Sequence, residues 1–323
     1  MQLQSILDNL TNPALMFFIL GIVAVQLKSD LKIPESSGKF ISMYLLLSIG
    51  FKGGQELSHQ AMNFEIAGSL FFGIAMALII PVSSFFILKR KFGIDNAGAI
   101  AASYGSVSAV TFVTAISFLD FQNIEFGGHL IAVMAIMEAP AIIVGVLLIR
   151  FYQRKDTDKA GQSLKEVLKH AMTNGSVLLI IGSLIVGYLA SEQQAEGIRP
   201  FTTDIFKGFL AVFLLDMGIV SGKEISKILK KGALPFVFSI VMPFVHGFIA
   251  LFIAMQITDS VGNQLLFTIL AASASYIAVP AAMKTAVPKA NPSLYLPMAL
   301  GITFPINVVI GIPVYYSIIM YYS

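Results

Sequence analysis

Apolar residues run along the chain in ten blocks parted by short polar connections: 12–27, 37–52, 65–88, 96–119, 126–151, 173–190, 203–220, 232–255, 262–283 and 293–319. A helix that spans a bilayer needs about 20 mostly apolar residues. The pattern therefore predicts ten transmembrane helices, with the first, second and sixth extending into the interfaces. Two blocks are interrupted by small polar residues. One reads Ala101-Ala-Ser-Tyr-Gly-Ser-Val-Ser-Ala-Val-Thr111, the other Ala271-Ala-Ser-Ala-Ser-Tyr-Ile-Ala-Val-Pro280. A helix broken inside hydrocarbon exposes N–H and C=O groups that lipid cannot satisfy. Each break must then face protein, water or a ligand. Paired breaks at corresponding places of two halves are the sequence pointer to a transporter's binding site.

The longest polar connection follows Tyr152. Its second half sets Leu164, Val167, Leu168, Ala171 and Met172 against Lys165, Glu166, Lys169 and His170 with helical period. That spacing fits a short interfacial helix and fits an ordinary solvated linker equally well. The chain divides into a first five-helix repeat over 1–151, this linker over 152–172, and a second repeat over 173–323.

Loop charge sets the orientation. Eighteen Lys and Arg lie in the odd-numbered connections, from Lys28 in the first to Lys289 in the last, and three (Lys52, Arg199 and Lys207) in the even ones. The positive-inside rule puts the odd connections in the cytoplasm and both termini in the periplasm, in a cell inner membrane. With five spans per half, the second half enters the membrane inverted. The halves also match locally. Asn12-Pro-Ala parallels Asn174-Gly-Ser, and Ser48-Ile-Gly-Phe-Lys-Gly-Gly-Gln-Glu56 parallels Asp216-Met-Gly-Ile-Val-Ser-Gly-Lys-Glu224.

Composition agrees: 56% of residues are hydrophobic and 12% charged, against about 25% charged in soluble domains. The net charge of +3 is small, and basic residues placed this way set topology rather than bind nucleic acid. With no Cys, disulfides and thiolate chemistry are excluded. The segment Met1–Asp8 has no basic n-region, so no cleaved signal peptide is expected. Asn9-Leu-Thr11 matches a glycosylation sequon. No phosphate-binding loop, dinucleotide fingerprint or nucleophile elbow occurs, and four scattered His make no transition-metal site. No enzyme is expected.

The breaks carry the chemistry. Half-helix N-termini aimed at a break favour an anion, and freed carbonyls favour a small cation. Ser103, Gly105, Ser106, Ser108 and Thr111 supply hydroxyls and a pliant backbone in the first break; Ser273, Ser275, Tyr276 and Pro280 do so in the second. Glu138 lies mid-span and needs a partner, a proton or a cation there. It reads as a sodium ligand, a proton carrier or a hydrogen-bonded packing residue. Thr303 and Asn307, beside Pro305, are candidate neutral oxygens for a cation. The cation set is thus Ser103, Glu138 and Asn307. His246 reads as a packing residue more than a proton relay, and Asp216 as the residue closing the seventh span.

Several stretches resemble the sodium-dependent bicarbonate permease family (the SbtA type). They are Tyr104-Gly-Ser-Val-Ser-Ala-Val-Thr111, Met137-Glu-Ala-Pro-Ala141, His246-Gly-Phe-Ile-Ala250, Ala271 to Ala281, and Val287-Pro-Lys-Ala-Asn-Pro-Ser293. The resemblance covers nearly all of the transmembrane region. It implies an all-α protein of ten spans in a five-plus-five inverted repeat, a core domain moving against a gate domain, a homotrimer, and symport of sodium with bicarbonate. Cyanobacterial members also bind a PII-like cytoplasmic regulator. This chain departs at the site: Tyr276 stands where those members have a carboxylate, and Val110 and Ala278 where they have hydroxyls. Its linker between spans five and six is shorter too.

The expectation is sodium-coupled uptake of bicarbonate or a similar small anion. The anion is held by Gly105, Ser106, Ser108, Thr111, Ser273, Ser275 and Tyr276. The alternatives are a proton-coupled exchanger or organic-acid carrier on the same scaffold, and a membrane anion sensor that moves nothing.

Overall fold

The computed structural model describes residues 12–60, 63–153, 166, 169 and 173–323. Most of the proposed interfacial helix over 164–172, the sequon at Asn9 and the basic residues Arg154, Lys155, Lys159 and Lys165 lie outside the described residues.

Twelve helices carry the description. They are α1 (Pro13–Gln26), α2 (Glu35–Ser58), α3 (Phe64–Gly105), α4 (Ala109–Phe121), α5 (His129–Tyr152), α6 (Gly175–Leu189), α7 (Glu192–Arg199), α8 (Phe206–Leu229), α9 (Ala233–Ile257), α10 (Val261–Ala272), α11 (Ala278–Ala286) and α12 (Pro292–Tyr322). No strand occurs among the described residues. Five helical stretches are long and apolar enough to cross a bilayer: Phe64–Phe121, His129–Tyr152, Glu192–Leu229, Ala233–Ile257 and Pro292–Tyr322. Pro13–Gln26, Gly175–Leu189 and Val261–Ala272 are shorter apolar helices. Every apolar block of the sequence carries helix, two of them broken at 106–108 and 273–277, and the helices often outrun the blocks. α8 continues to Leu229, past its apolar stretch, with a Lys227–Glu224 ion pair in its last turns. Asp216 accordingly lies near the middle of α8, facing Gly38, and does not close the helix.

Local chemistry sets the ends. Asn12 and Asn174 cap α1 and α6, each side chain accepting the amide two residues on, at 2.9 and 3.0 Å. Such caps satisfy N–H groups that the helix leaves orphaned. Both helices are short, 14 and 15 residues, or about 21–23 Å at 1.5 Å per residue. α3 turns sharply at Gly93, whose φ of 76° and ψ of 169° suit a residue without Cβ. α7 is a short polar helix with a Ser191–Gln194 capping box. The sequence pattern missed it. A π-helical turn, Pro200–Asp204, joins it to α8, and Tyr44 docks that turn by donating its hydroxyl to the Phe201 carbonyl at 2.5 Å.

The helices pack as two clusters. α1 lies along α8, and α2 along α6. The other cluster holds α3 against α5, α9 against α10 and α12, and α4 against α10. Each cluster draws on both halves of the sequence, so the halves are not separate bodies in space. Close approach depends on glycine. A Cβ at Gly21 would strike the Leu215 carbonyl and one at Gly218 the Phe18 carbonyl, across α1 and α8. Gly54 and Gly187 meet the Leu184 and Phe51 carbonyls in the same way across α2 and α6. Small residues let membrane helices gain dispersion contact where lipid offers no hydrophobic drive. Large apolar side chains such as Leu20, Phe71, Ile79, Leu178, Val241 and Phe252 face outward, as a lipid-embedded surface requires.

Candidate functional site

The two breaks meet and cross. α3 ends at Gly105 and α4 begins at Ala109; α10 ends at Ala272 and α11 begins at Ala278. Ser106 and Ser273, the first residues past the helix ends, are both extended, with ψ of 175° and 170°. Ser275 N–H donates to the Ser103 carbonyl at 2.7 Å, and Ser103 Oγ donates back to the Ser275 carbonyl at 2.5 Å. Ser108 N–H donates to Ser273 Oγ at 3.0 Å, and Ser273 Oγ donates to the Leu270 carbonyl at 3.3 Å. These bonds satisfy backbone groups that lipid would leave bare. Ser108 Oγ also caps α4, accepting Thr111 N–H at 3.1 Å.

Other groups at the crossing have no protein partner. Ser106 Oγ, Thr111 Oγ1, Glu138 Oε2 and Asn307 Oδ1 are buried and unbonded. Their residues are 0, 1, 4 and 1% exposed. Buried polar atoms are rarely left so, and each points to a water, an ion or a ligand. Asn307 otherwise donates Nδ2–H to the Ala272 carbonyl at 2.7 Å, at the C-terminal end of α10. It opens one of two π-helical stretches in α12, Asn307–Gly311, the other being Met298–Thr303. Such distortions recur at functional sites.

A narrow cleft lies where the helix clusters face each other. Ser108, Ser275, Tyr276 and Glu138 line it from one side, Leu46 of α2 and Ser176 of α6 from the other. Its volume of ≈ 10 Å³ admits about one water molecule. The clusters are thus closed over the breaks. Tyr276 is 8% exposed and its ring meets Phe304 edge-on at 5.9 Å. Pro280 is the third residue of α11, in the first turn, where an N–H would have no intrahelical acceptor, so it costs the helix no bond.

The structure brings Ser108, Ser275, Tyr276 and Glu138 to one cleft, and Ser103 and Ser273 to the crossing bonds. Gly105 packs on Pro81, whose ring a Cβ would overlap. Asn307 is not among the residues around the cleft. Thr303 is fully engaged: its Oγ1 donates to the Ser239 carbonyl and meets Tyr104 Oη, both at 2.8 Å. His246 lies 3.3 Å from Ser83 Oγ through Nε2. Sequence reasoning missed Ser176 and a large polar cavity of ≈ 780 Å³ at the chain-terminal end of the bundle, where His129 is buried. Among the described residues, no three His, Cys, Asp or Glu side chains converge to hold a metal ion.

The sequence model of the Na+-dependent bicarbonate transporter superfamily matches residues 13–320. Among curated proteins, none matches the chain.

Proposed function

The chain belongs to the Na+-dependent bicarbonate transporter superfamily, and from that membership we propose a secondary transporter that takes up bicarbonate, or a similarly small anion, together with sodium. It is a multi-pass membrane protein. In the proposed topology ten spans form a five-plus-five inverted repeat. The part of α3 beyond its turn at Gly93 makes one broken span with α4, and α10 and α11 make the other. The swapped pairing of α1 with α8 and α2 with α6 supports the repeat, because a two-fold axis exchanges those pairs.

The observation that carries the reading is the crossing of the breaks with four buried polar groups left open beside it. The N-terminus of α4 brings partial positive charge and the free hydroxyls of Ser106 and Thr111, which suit an anion. Glu138, Asn307 Oδ1 and the carbonyl ends of α3 and α10 suit sodium. In a dry site, each ion offsets the desolvation of the other, which gives coupling its physical basis. Access alternates as the broken-helix cluster moves against α1, α2, α6 and α8 and opens the cleft at Glu138 and Ser176.

Uptake of labelled bicarbonate by proteoliposomes, with and without an inward sodium gradient, tests this. Gradient-dependent accumulation is expected; no movement of label would leave an anion sensor. The open Glu138 Oε2 favours one further reading, proton coupling. Uptake driven by a pH gradient and indifferent to sodium would select it. The proposed orientation sets the α6–α7 connection in the periplasm of an inner membrane. The chain has no native Cys, so Gln193→Cys should react with an impermeant maleimide from outside. Reaction only after permeabilisation would reverse the topology.

A further inference from the structure

The polar cavity of ≈ 780 Å³ has no role in the reading above. It opens at the end of the bundle where the α2–α3, α4–α5 and α9–α10 connections gather. Its floor is Ile49, Ile116 and Ile131, all buried. Ile116 is seven residues from Ala109 on α4, and Ile131 seven from Glu138 on α5. At 1.5 Å per residue the floor stands about 5–10 Å from the closed cleft, the shorter distance running from Ile49 to Leu46 on α2. The cavity is therefore a vestibule in line with the breaks.

Its walls are acidic. Glu56, Glu65, Asp120 and Glu125 line it, with Lys52 the lone ammonium among the lining residues. One wall is also built for contact with something. His129, the first residue of α5, is 3% exposed, lines the cavity, and neither ring nitrogen has a partner. Its surroundings are held in place. Asn263 Nδ2–H donates to Glu65 Oε1 at 2.7 Å, and Asn263 Oδ1 accepts Gly127 N–H at 2.6 Å. Gly127 lies so close to the imidazole that a Cβ there would overlap it. An imidazole fixed in a wall with both nitrogens unmatched is costly unless the cavity supplies a partner.

Four carboxylates disfavour an anion here. The lack of a converging His and carboxylate trio among the described residues disfavours a chelated metal ion. A hydrated monovalent cation fits, because it is drawn by the field of the chamber and held loosely through its water. We infer that the vestibule is a cation antechamber, in which sodium collects at the Glu65–His129 wall before reaching the breaks and bicarbonate follows it. This rests on the sodium-coupled reading. Sodium neutralises the chamber first, so the anion meets less repulsion on its way in. A proton on His129 adds a positive charge to the same wall and competes with sodium. The charged groups that line the cavity with the ring are Lys52 and Glu56 of α2, Glu65 of α3, Asp120 of α4 and Glu125 of the next connection; Asn263 of α10 and Phe206 of α8 line it uncharged.

The test is initial uptake of labelled bicarbonate into proteoliposomes against external sodium, at low ionic strength. Glu65→Gln keeps the acceptor for Asn263 and removes a charge; Asp120→Asn removes a charge on another wall. Each should raise the sodium KM roughly threefold, leave the bicarbonate KM at saturating sodium unchanged, and lose its effect in high choline chloride. External acidification should raise the sodium KM of the wild type, and His129→Gln should flatten that response. A sodium KM unchanged in both carboxylate variants at wild-type protein levels would overturn the antechamber and leave sodium coupling intact. Wild-type uptake indifferent to sodium would overturn both.

Discussion

The two breaks draw on the same residue types and end in opposite conditions. In the second, Ser273 Oγ bonds the Ser108 amide and the Leu270 carbonyl, Ser275 is clamped to Ser103 through both backbone groups, and the Ala272 carbonyl is bonded by Asn307. In the first, Ser106 Oγ and Thr111 Oγ1 are buried and unbonded. The second break's Ser273 hydroxyl is spent on holding the crossing together, while the first break keeps the Ser106 and Thr111 hydroxyls free to bond a ligand. Polar residues in a broken helix are thus not interchangeable. Their free bonding capacity, rather than their number, tells a ligand-facing break from a structural one.

The largest effect comes from bulk placed in either break. Ser106→Leu fills the open side of the first break and removes its free hydroxyl. Uptake of labelled bicarbonate should be lost at near-wild-type membrane levels, and because Ser106 is 0% exposed the added bulk should lower thermal stability in detergent too. Ser275→Leu must enter the clamp, where the residue is 2% exposed, so both uptake and stability should fall. Normal uptake by Ser106→Leu would break the comparison.

A smaller effect tests the cation side. Glu138→Gln keeps the shape and one oxygen but removes the charge. If sodium binds there, its KM should rise about tenfold, equivalent to about 1.4 kcal/mol, with the bicarbonate KM at saturating sodium changed less. Initial rates against sodium at two pH values give the answer. An unchanged sodium curve removes Glu138 from the sodium shell, and loss of only pH-driven uptake makes it a proton carrier.

The helical membrane architecture and the place of both breaks were legible in the sequence. Hydrophobic block length and interruption by Ser, Gly and Pro are local signals, and they mark Ser106 and Ser275 without any structure. Four things were not legible. Asp216 was misplaced because apolar blocks report what lies in hydrocarbon, and α8 runs on through polar turns to Leu229. α7 was missed because eight polar residues with a capping box look like a loop to a hydropathy reading. Which hydroxyls remain free depends on partners more than 160 positions away, as in the Ser103–Ser275 and Ser108–Ser273 bonds. The vestibule was hidden for the same reason, since His129, Glu65 and Asn263 come from three distant helices and meet only on folding.

The smallest effect is the sharpest test of the contrast. Ser273→Ala deletes one hydroxyl from the structural break and leaves the Ser108 amide without its acceptor. Hydrogen bonds between membrane helices average about 0.6 kcal/mol, and an unsatisfied buried amide costs about 1–3 kcal/mol. A loss near 1 kcal/mol should lower the melting temperature by a few degrees. α4 should keep its start, because Ser108 Oγ still caps Thr111. The sodium and bicarbonate KM values should move little, since the removed oxygen already bonds protein on both sides. Ser106→Ala should do the reverse, weakening apparent anion affinity with stability unchanged, because its hydroxyl bonds nothing in the protein. The pair is scored by melting temperature and uptake KM in the same preparations. If Ser273→Ala raises the anion KM as much as Ser106→Ala and melts like the wild type, both breaks face the ligand equally and the division of roles between them is wrong.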